Sequence, residues 1–175
     1  MQFYRPCLLD TDKHRRDAFD CGDSSLNEWL RRYAGQNRRG NTAATWVVVD
    51  DRGAVMAYVC LSMTSVDYSS APDELAKGAP RRVPALLIGR LAVDRRVAGH
   101  GLGTALVAHV LEKAVEINHI AACRAVVVNG LNPKAFKWWV RFGFTPFDPD
   151  DADNLDLYLL TADIERTLAD LPETQ

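Results

Sequence analysis

The chain has 175 residues, 47% of them apolar and 25% charged, with a formal net charge of −2. That is enough chain to bury one ordinary core without disulfides or a structural metal. No apolar run reaches the ~18 residues a membrane span needs, and Met1-Gln2-Phe3-Tyr4-Arg5-Pro6 lacks the apolar stretch of a secretory leader. A cytoplasmic protein with no membrane partner is expected. Cys7, Cys21, Cys60 and Cys123 are scattered singly, the usage of reduced thiols and not of a zinc site, so no metal is expected. The charge is uneven: residues 1–147 carry 20 of the 21 Lys and Arg and 14 of the 23 Asp and Glu, a net +6, while residues 148–175 carry −8. A basic body suits a polyanionic partner.

Residues 2–8 alternate weakly and predict an edge strand. Asp23-Ser24-Ser25 opens a helix in which Leu26, Trp29, Leu30 and Tyr33 fall at i, i+3, i+4 and i+7, one apolar face. Arg31 and Arg32 occupy its other face, and Arg38-Arg39-Gly40 reads as the loop beyond. Thr45–Val49 is a β-branched strand, Asp51-Arg52-Gly53 a turn, and Val55–Met63 the returning arm of a hairpin. Residues 67–85, with three prolines, read as a loop holding a short helix at Asp73–Lys77.

Leu86–Val93 is apolar almost throughout and predicts a buried strand. A glycine-rich segment follows. Then Leu102, Ala105, Leu106, Val110, Ala114 and Ile117 recur at helical spacing. Cys123–Val128 is the next strand. Asn132-Pro133 opens a short helix, with Pro in its tolerated first turn, and Gly143 ends it. Strands at Phe144–Phe147 and Leu155–Leu160 and a helix at Ala162–Leu171 complete the chain. Strands with interspersed helices predict a mixed α/β (α+β) fold, read as a single domain over residues 1–175.

The segment Val93-Asp94-Arg95-Arg96-Val97-Ala98-Gly99-His100-Gly101-Leu102-Gly103-Thr104 lies between the buried strand and the long helix. Three alternating glycines let backbone N–H groups converge without Cβ obstruction, at a helix start where N–H groups are unpaired and the dipole is positive. That is a cradle for phosphate or pyrophosphate. It is not a Walker loop, because Gly103-Thr104 lacks the Lys. It is not a dinucleotide fingerprint either, because the spacing is GxGxG in mid-chain with no acidic strand end about 20 residues later.

Arg96-xx-Gly99-x-Gly101 resembles the acetyl-CoA motif of the GNAT N-acetyltransferases. Asn132-xx-Ala135-xxx-Trp139-xxx-Gly143-Phe144 resembles their second acyl-CoA motif. The resemblance implies a GNAT fold: a mixed, twisted sheet of six to seven strands, its central strands splayed, with helices on both faces. It implies acetyl-CoA as donor, with Leu91, Ala92 and Val93 offering strand backbone to the pantetheine arm. The loop of Arg96, Gly99, His100, Gly101, Leu102, Gly103 and Thr104 would hold the pyrophosphate, with Asn132 and Ala135 on the cofactor arm and Trp139 near the sulfur. The family usually has a Tyr where this chain has Trp139. That Tyr is the expected general acid, and an indole N–H does not release a proton at working pH. Tyr158, Tyr58, Ser62 and His100 are alternative donors.

Phe19-Asp20-Cys21-Gly22, Leu26-Asn27-Glu28-Trp29-Leu30, Leu61-Ser62, Val83-Pro84 and Leu87–Asp94 resemble the GNAT toxins of toxin–antitoxin modules. That narrower likeness implies acetylation of the α-amine of aminoacyl-tRNA, a block of translation, and a ribbon-helix-helix antitoxin as partner. A homodimer is expected. Arg31, Arg32, Arg38, Arg39, Arg81, Arg82 and Arg90 are the candidate tRNA contacts. The alternatives are acetylation of a small amine or a protein N-terminus, or a catalytically weak acetyl-CoA-binding partner of a DNA-binding antitoxin.

Overall fold

The computed structural model describes residues 2–169. Strand β1 (Cys7–Leu8) leads to helix α1 (Ser24–Glu28), a π-helical turn (Trp29–Tyr33) and helix α2 (Ala34–Arg39). The hairpin strands β2 (Ala44–Val49) and β3 (Val55–Asp67) follow, then α3 (Asp73–Ala76) and β4 (Arg82–Val93). A 3-10 turn (Arg95–Val97) precedes α4 (Leu102–Ile120), β5 (Ala125–Asn129), α5 (Pro133–Val140), β6 (Thr145–Pro146), β7 (Asp156–Leu160) and α6 (Thr161–Ala169). The strands form one seven-stranded sheet in the order β1-β2-β3-β4-β5-β7-β6. The mixed sheet with interspersed helices is the fold class the element order predicts. β4 and β5 are neighbours in that order, and the segment between them holds the 19 residues of α4.

Several predicted elements shift. The edge strand is only two residues long, with Cys7 opposite Val47 and Leu8 opposite Trp46. β3 and β4 are longer than their apolar runs, because a strand continues as long as its neighbour does. Their alternating exposed ends carry polar or small residues that break the apolar pattern. Arg38 and Arg39 close the last turn of α2 and do not lie in a loop. Tyr33 is 45% exposed, although it completes the apolar heptad. The Ala34 N–H reaches back to the Trp29 carbonyl, five residues away, and this wider turn rotates Tyr33 off the face that Trp29 and Leu30 bury. Of the predicted terminal helix, residues 170 and 171 lie outside the described residues.

The chain packs as two units. One comprises the residues up to Ser62 plus Ile88–Val110, and the other Met63–Leu87 plus the chain from Leu111. The core of the first gathers Phe19, Trp29, Leu30, Val47 and Tyr58. Phe19 meets the Tyr58 ring edge-on at 5.5 Å and Trp29 stacks on it at 5.8 Å, while the Tyr58 hydroxyl donates to the Leu26 carbonyl at 2.8 Å. In the second, Leu75, Val83, Ala125, Val127 and Tyr158 pack together. There Thr161 at the start of α6 donates to the Cys123 carbonyl at 2.6 Å.

Candidate functional site

In the first unit, β4 ends in Leu91, Ala92 and Val93, of which Ala92 is buried and the others half-buried. Asp94 follows and is wholly buried. Its Oδ1 accepts the Arg96 N–H (2.9 Å) and Nε (2.8 Å), and its Oδ2 accepts the Asp20 N–H (3.0 Å) and Arg96 Nη2 (2.7 Å). Burial works to raise this carboxyl, but the Arg96 side-chain and backbone donors and the Asp20 N–H outweigh it and hold the pKa below the usual range. The Arg96 guanidinium is therefore committed to Asp94, so what this residue turns outward is not a free cation.

The Asp20 carboxylate continues the network. Oδ1 accepts the Gly22 N–H and the Asn27 side-chain amide, both at 2.9 Å, and Oδ2 pairs with Arg95. The Arg95 N–H donates to the Asp20 carbonyl at 2.9 Å, and the Arg31 guanidinium donates to the Phe19 carbonyl. The segment 19–22 and the loop after β4 are thus locked to one another. Packing alone would not call for Asp20, Gly22 and Asn27; the network does. Asp94 lies within the motif segments, but they assign it no role. Its signal in the sequence is an acid directly before Arg95-Arg96, at a strand end where a loop must be pinned.

Beyond the 3-10 turn, Gly99 and Gly101 take φ of +80° and +79°. A Cβ built on either would meet nothing within 4 Å, so both glycines are set by backbone conformation and face open space. The first bond of the α4 ladder runs from the Ala105 N–H to the Gly101 carbonyl at 3.0 Å. The N–H groups of Leu102, Gly103 and Thr104 precede that ladder. Gly103 lies within the first turn of α4 and is not one of the left-handed glycines. The exposed His100 turns Nδ1 back onto the carbonyls of Val97 (3.1 Å) and Ala98 (3.2 Å). Open backbone donors at the positive end of a 19-residue helix fit a pyrophosphate.

In the second unit, Asn132 is the N-cap of α5, and its Oδ1 accepts the Ala135 N–H at 2.9 Å. Two of the candidate residues thus satisfy each other, and only the amide Nδ2 of Asn132 is left over. Leu131, just before it, takes φ +61° and is 67% exposed, a local strain that turns the chain into α5. Trp139 is 5% exposed, edge-on to Trp138 at 4.9 Å and to Phe144 at 5.2 Å. A separate cavity of 390 Å³ is lined by Val66, Leu87, Val127 and Phe147 with the acids Asp67 and Asp156.

The alternative proton donors fare unequally. Tyr58 is fully buried with its hydroxyl occupied, and burial pushes its pKa far up. Tyr158 donates to Glu74 at 2.8 Å, and burial followed by that carboxylate pushes it up to about 12. Neither is poised to release a proton near neutral pH. Of the candidate RNA contacts, Arg32 pairs with Glu28 at 3.2 Å and Arg90 lies over the Trp29 ring at 4.7 Å. Arg38, Arg39, Arg81 and Arg82 are exposed. Arg81 and Arg82 belong to the second unit and the other five to the first. Among the described residues, no group of three or more His, Cys, Asp or Glu is placed to hold a metal, and no helix is long and apolar enough to cross a membrane.

Residues 8–144 match the Acetyltransferase (GNAT) family. A Mycobacterium tuberculosis protein named tRNA-acetylating toxin is 32% identical over 155 residues, 87% of this chain and 90% of its own. Among solved structures, AtaT complexed with acetyl-methionyl-tRNAfMet shares the fold with a TM-score of 0.86 at 23% identity, over 95% of this chain and 99% of that one. A mutant AtaT bound to the C-terminus of the antitoxin AtaR and acetyl-CoA does so at 0.80 and 24% identity, over 95% and 98%.

Proposed function

Since the chain belongs to the GNAT family of acetyltransferases, we propose that it acts as a single GNAT domain and moves the acetyl group of acetyl-CoA to the α-amine of an aminoacyl-tRNA, stopping translation. The observation that carries the donor half is the pair of left-handed glycines facing open space at the start of α4. The acceptor is supported by the 32% identity to a protein named for acetylating tRNA.

The donor supplies an activated thioester. On this reading the backbone of Leu91, Ala92 and Val93 takes the pantetheine arm as an added strand, and an N–H of that segment meets the developing oxyanion. The pyrophosphate rests on the N–H groups between Gly99 and Thr104. Arg96 acts through Asp94, by fixing the loop. The Asn132 amide reaches the arm while its carbonyl oxygen caps α5. Trp139 orients the thioester by packing. An α-amine with a pKa near 7.7 is already partly neutral at pH 7.5, and a thiol near 8.5 leaves without obligatory protonation, so positioning carries most of the acceleration.

A ribbon-helix-helix antitoxin and a second copy of this chain are the proposed protein partners. AtaT, which shares the fold, has been solved with its antitoxin. Trp139, together with the occupied hydroxyls of Tyr58 and Tyr158, favours a second reading: a partner that binds acetyl-CoA without turnover. Radiolabelled acetyl-CoA with total charged tRNA separates the two. Label in acid-precipitable RNA, dependent on the aminoacyl ester, is expected. Turnover equal to the no-enzyme control with every amino acid represented, while acetyl-CoA still binds, sinks the transferase reading on this substrate class.

A further inference from the structure

Helix α5 carries a cationic groove whose charged residues have no part in the acetyl-transfer chemistry proposed above. The groove measures 480 Å³ and is lined by Pro133, Lys134, Lys137, Trp138 and Arg141. The three cations stand at i, i+3 and i+7 with Trp138 beside Lys137, so they form one face. They extend over ~10 Å of helix axis at 1.5 Å per residue, more than a single phosphate spans. No Asp or Glu occurs between Glu116 and Asp148 in the sequence. Among the described residues, none of the three cations is paired with a carboxylate. Three like charges on one short helix repel one another, and an anion laid along them removes that repulsion.

Trp138 gives the groove a second chemistry. Its ring is half-buried and held edge-on by Trp139 at 4.9 Å and 81° and by Phe142 at 4.6 Å and 65°. The indole is fixed before any ligand arrives and offers the groove a flat apolar surface. Backbone-pairing cations beside an aromatic platform are the elements that bind single-stranded nucleic acid, where bases stack and phosphates pair.

We propose that this face of α5 binds the single-stranded nucleotide end of the RNA acceptor, stacking a base on Trp138 and pairing its phosphates with Lys134, Lys137 and Arg141. The proposal rests on the aminoacyl-tRNA reading for its ligand, but its test does not require catalysis. The same chemistry is offered by the nucleotide of the acetyl donor, so the experiment has an arm for each.

The probe is an eight-nucleotide single-stranded RNA ending in CCA, uncharged and labelled at its 5′ end, titrated with the full chain at low salt and read by fluorescence anisotropy. Acetyl-CoA binding is measured on the same proteins by calorimetry. The triple reversal Lys134→Glu, Lys137→Glu and Arg141→Glu should weaken RNA at least tenfold and leave acetyl-CoA affinity within twofold. Trp138→Leu should weaken RNA severalfold and Trp138→Phe much less, with thermal melting confirming that each variant is folded. RNA affinity within twofold of wild type in the triple reversal overturns the proposal. So does a loss confined to acetyl-CoA, which would assign the groove to the donor nucleotide. A full effect of the reversal with none from Trp138→Leu overturns the stacking. RNA bound through this groove by a protein that fails to acetylate any charged tRNA would refute the transferase reading and leave this one standing.

Discussion

At residue 101 any side chain begins at φ +79°, which L residues adopt at a cost of about 1–3 kcal/mol, and its Cβ projects into open space. Gly101→Val is expected to weaken acetyl-CoA at least tenfold by calorimetry, since the valine methyls would occupy the volume through which the pyrophosphate reaches the N–H groups. Unchanged affinity would remove the cradle from the site. Trp139 tests the opposite property, a residue chosen for its bulk. With only 5% of its surface exposed and two rings edge-on to it, it is a packing residue. Trp139→Phe should therefore keep most of the turnover. Trp139→Tyr would place a phenol at the position that neither Tyr58 nor Tyr158 serves, their hydroxyls being occupied. If departure of the thiolate limits the rate, turnover should rise ~10-fold, about 1.4 kcal/mol off the barrier. A steady-state acetyl-transfer assay of the three proteins reads both outcomes, and loss of activity in Trp139→Phe would show that the indole does more than pack.

Among the elements, the network joining segment 19–22 to the end of β4 makes a pH prediction. The N–H of Gly22, the Asn27 amide and Arg95 lower the Asp20 pKa to about 2, against ~3.9 for an unperturbed Asp. A carboxyl depressed in the folded state stabilises it fully above the unfolded pKa and loses that contribution as pH falls through the folded one. Stability should therefore decline from about pH 4 toward pH 2, and Asp20→Asn should flatten that part of the curve in urea titrations. Asp94→Asn should cost about 2–3 kcal/mol, less than the 3–5 for breaking a fully buried pair because the Arg96 side chain is 52% exposed. The same elements show how far the sequence is legible. Strong apolar periods place β2, the apolar part of β4, and α4, and the glycine spacing places the cradle. The π-turn that exposes Tyr33 is not legible, because a heptad assumes an unbroken α-helical pitch. Nor is the capture of Arg96 by Asp94: the motif supplies a cation beside a phosphate loop, and only the fold brings the Asp20 N–H to the same carboxylate. Asn132 is legible as a helix start, where its Oδ1 caps α5, and its amide nitrogen is left for the cofactor contact proposed above.

For the whole molecule, charge placement sets how RNA would bind under the proposed function. A net +6 over residues 1–147 against −8 over residues 148–175 gives a chain whose overall charge of −2 conceals a strongly basic portion. The affinity of such a protein for RNA depends on counterion release, so log K should fall linearly with log salt, by ~0.7–0.9 per phosphate neutralised. The basic residues are not equivalent in this. Arg31 holds the Phe19 carbonyl, so reversing it would disturb the fold, and Arg32 is paired with Glu28. Arg38 and Arg39 are exposed in the last turn of α2, the end of a helix that favours cations. The double reversal Arg38→Glu and Arg39→Glu is thus the cleaner variant. It should weaken charged tRNA at every salt concentration and reduce the salt slope by about 1 for each phosphate that is no longer neutralised, while leaving acetyl-CoA affinity nearly unchanged and lowering the melting temperature by only a few degrees, the cost of two anions at a helix C-terminus. Filter binding between 50 and 200 mM salt measures the slope. A wild-type slope near zero would end the polyanion reading of the basic portion. A steep slope that the double reversal leaves intact would assign Arg38 and Arg39 to solvated surface and shift the phosphate pairing to Arg81, Arg82 and the cations of α5.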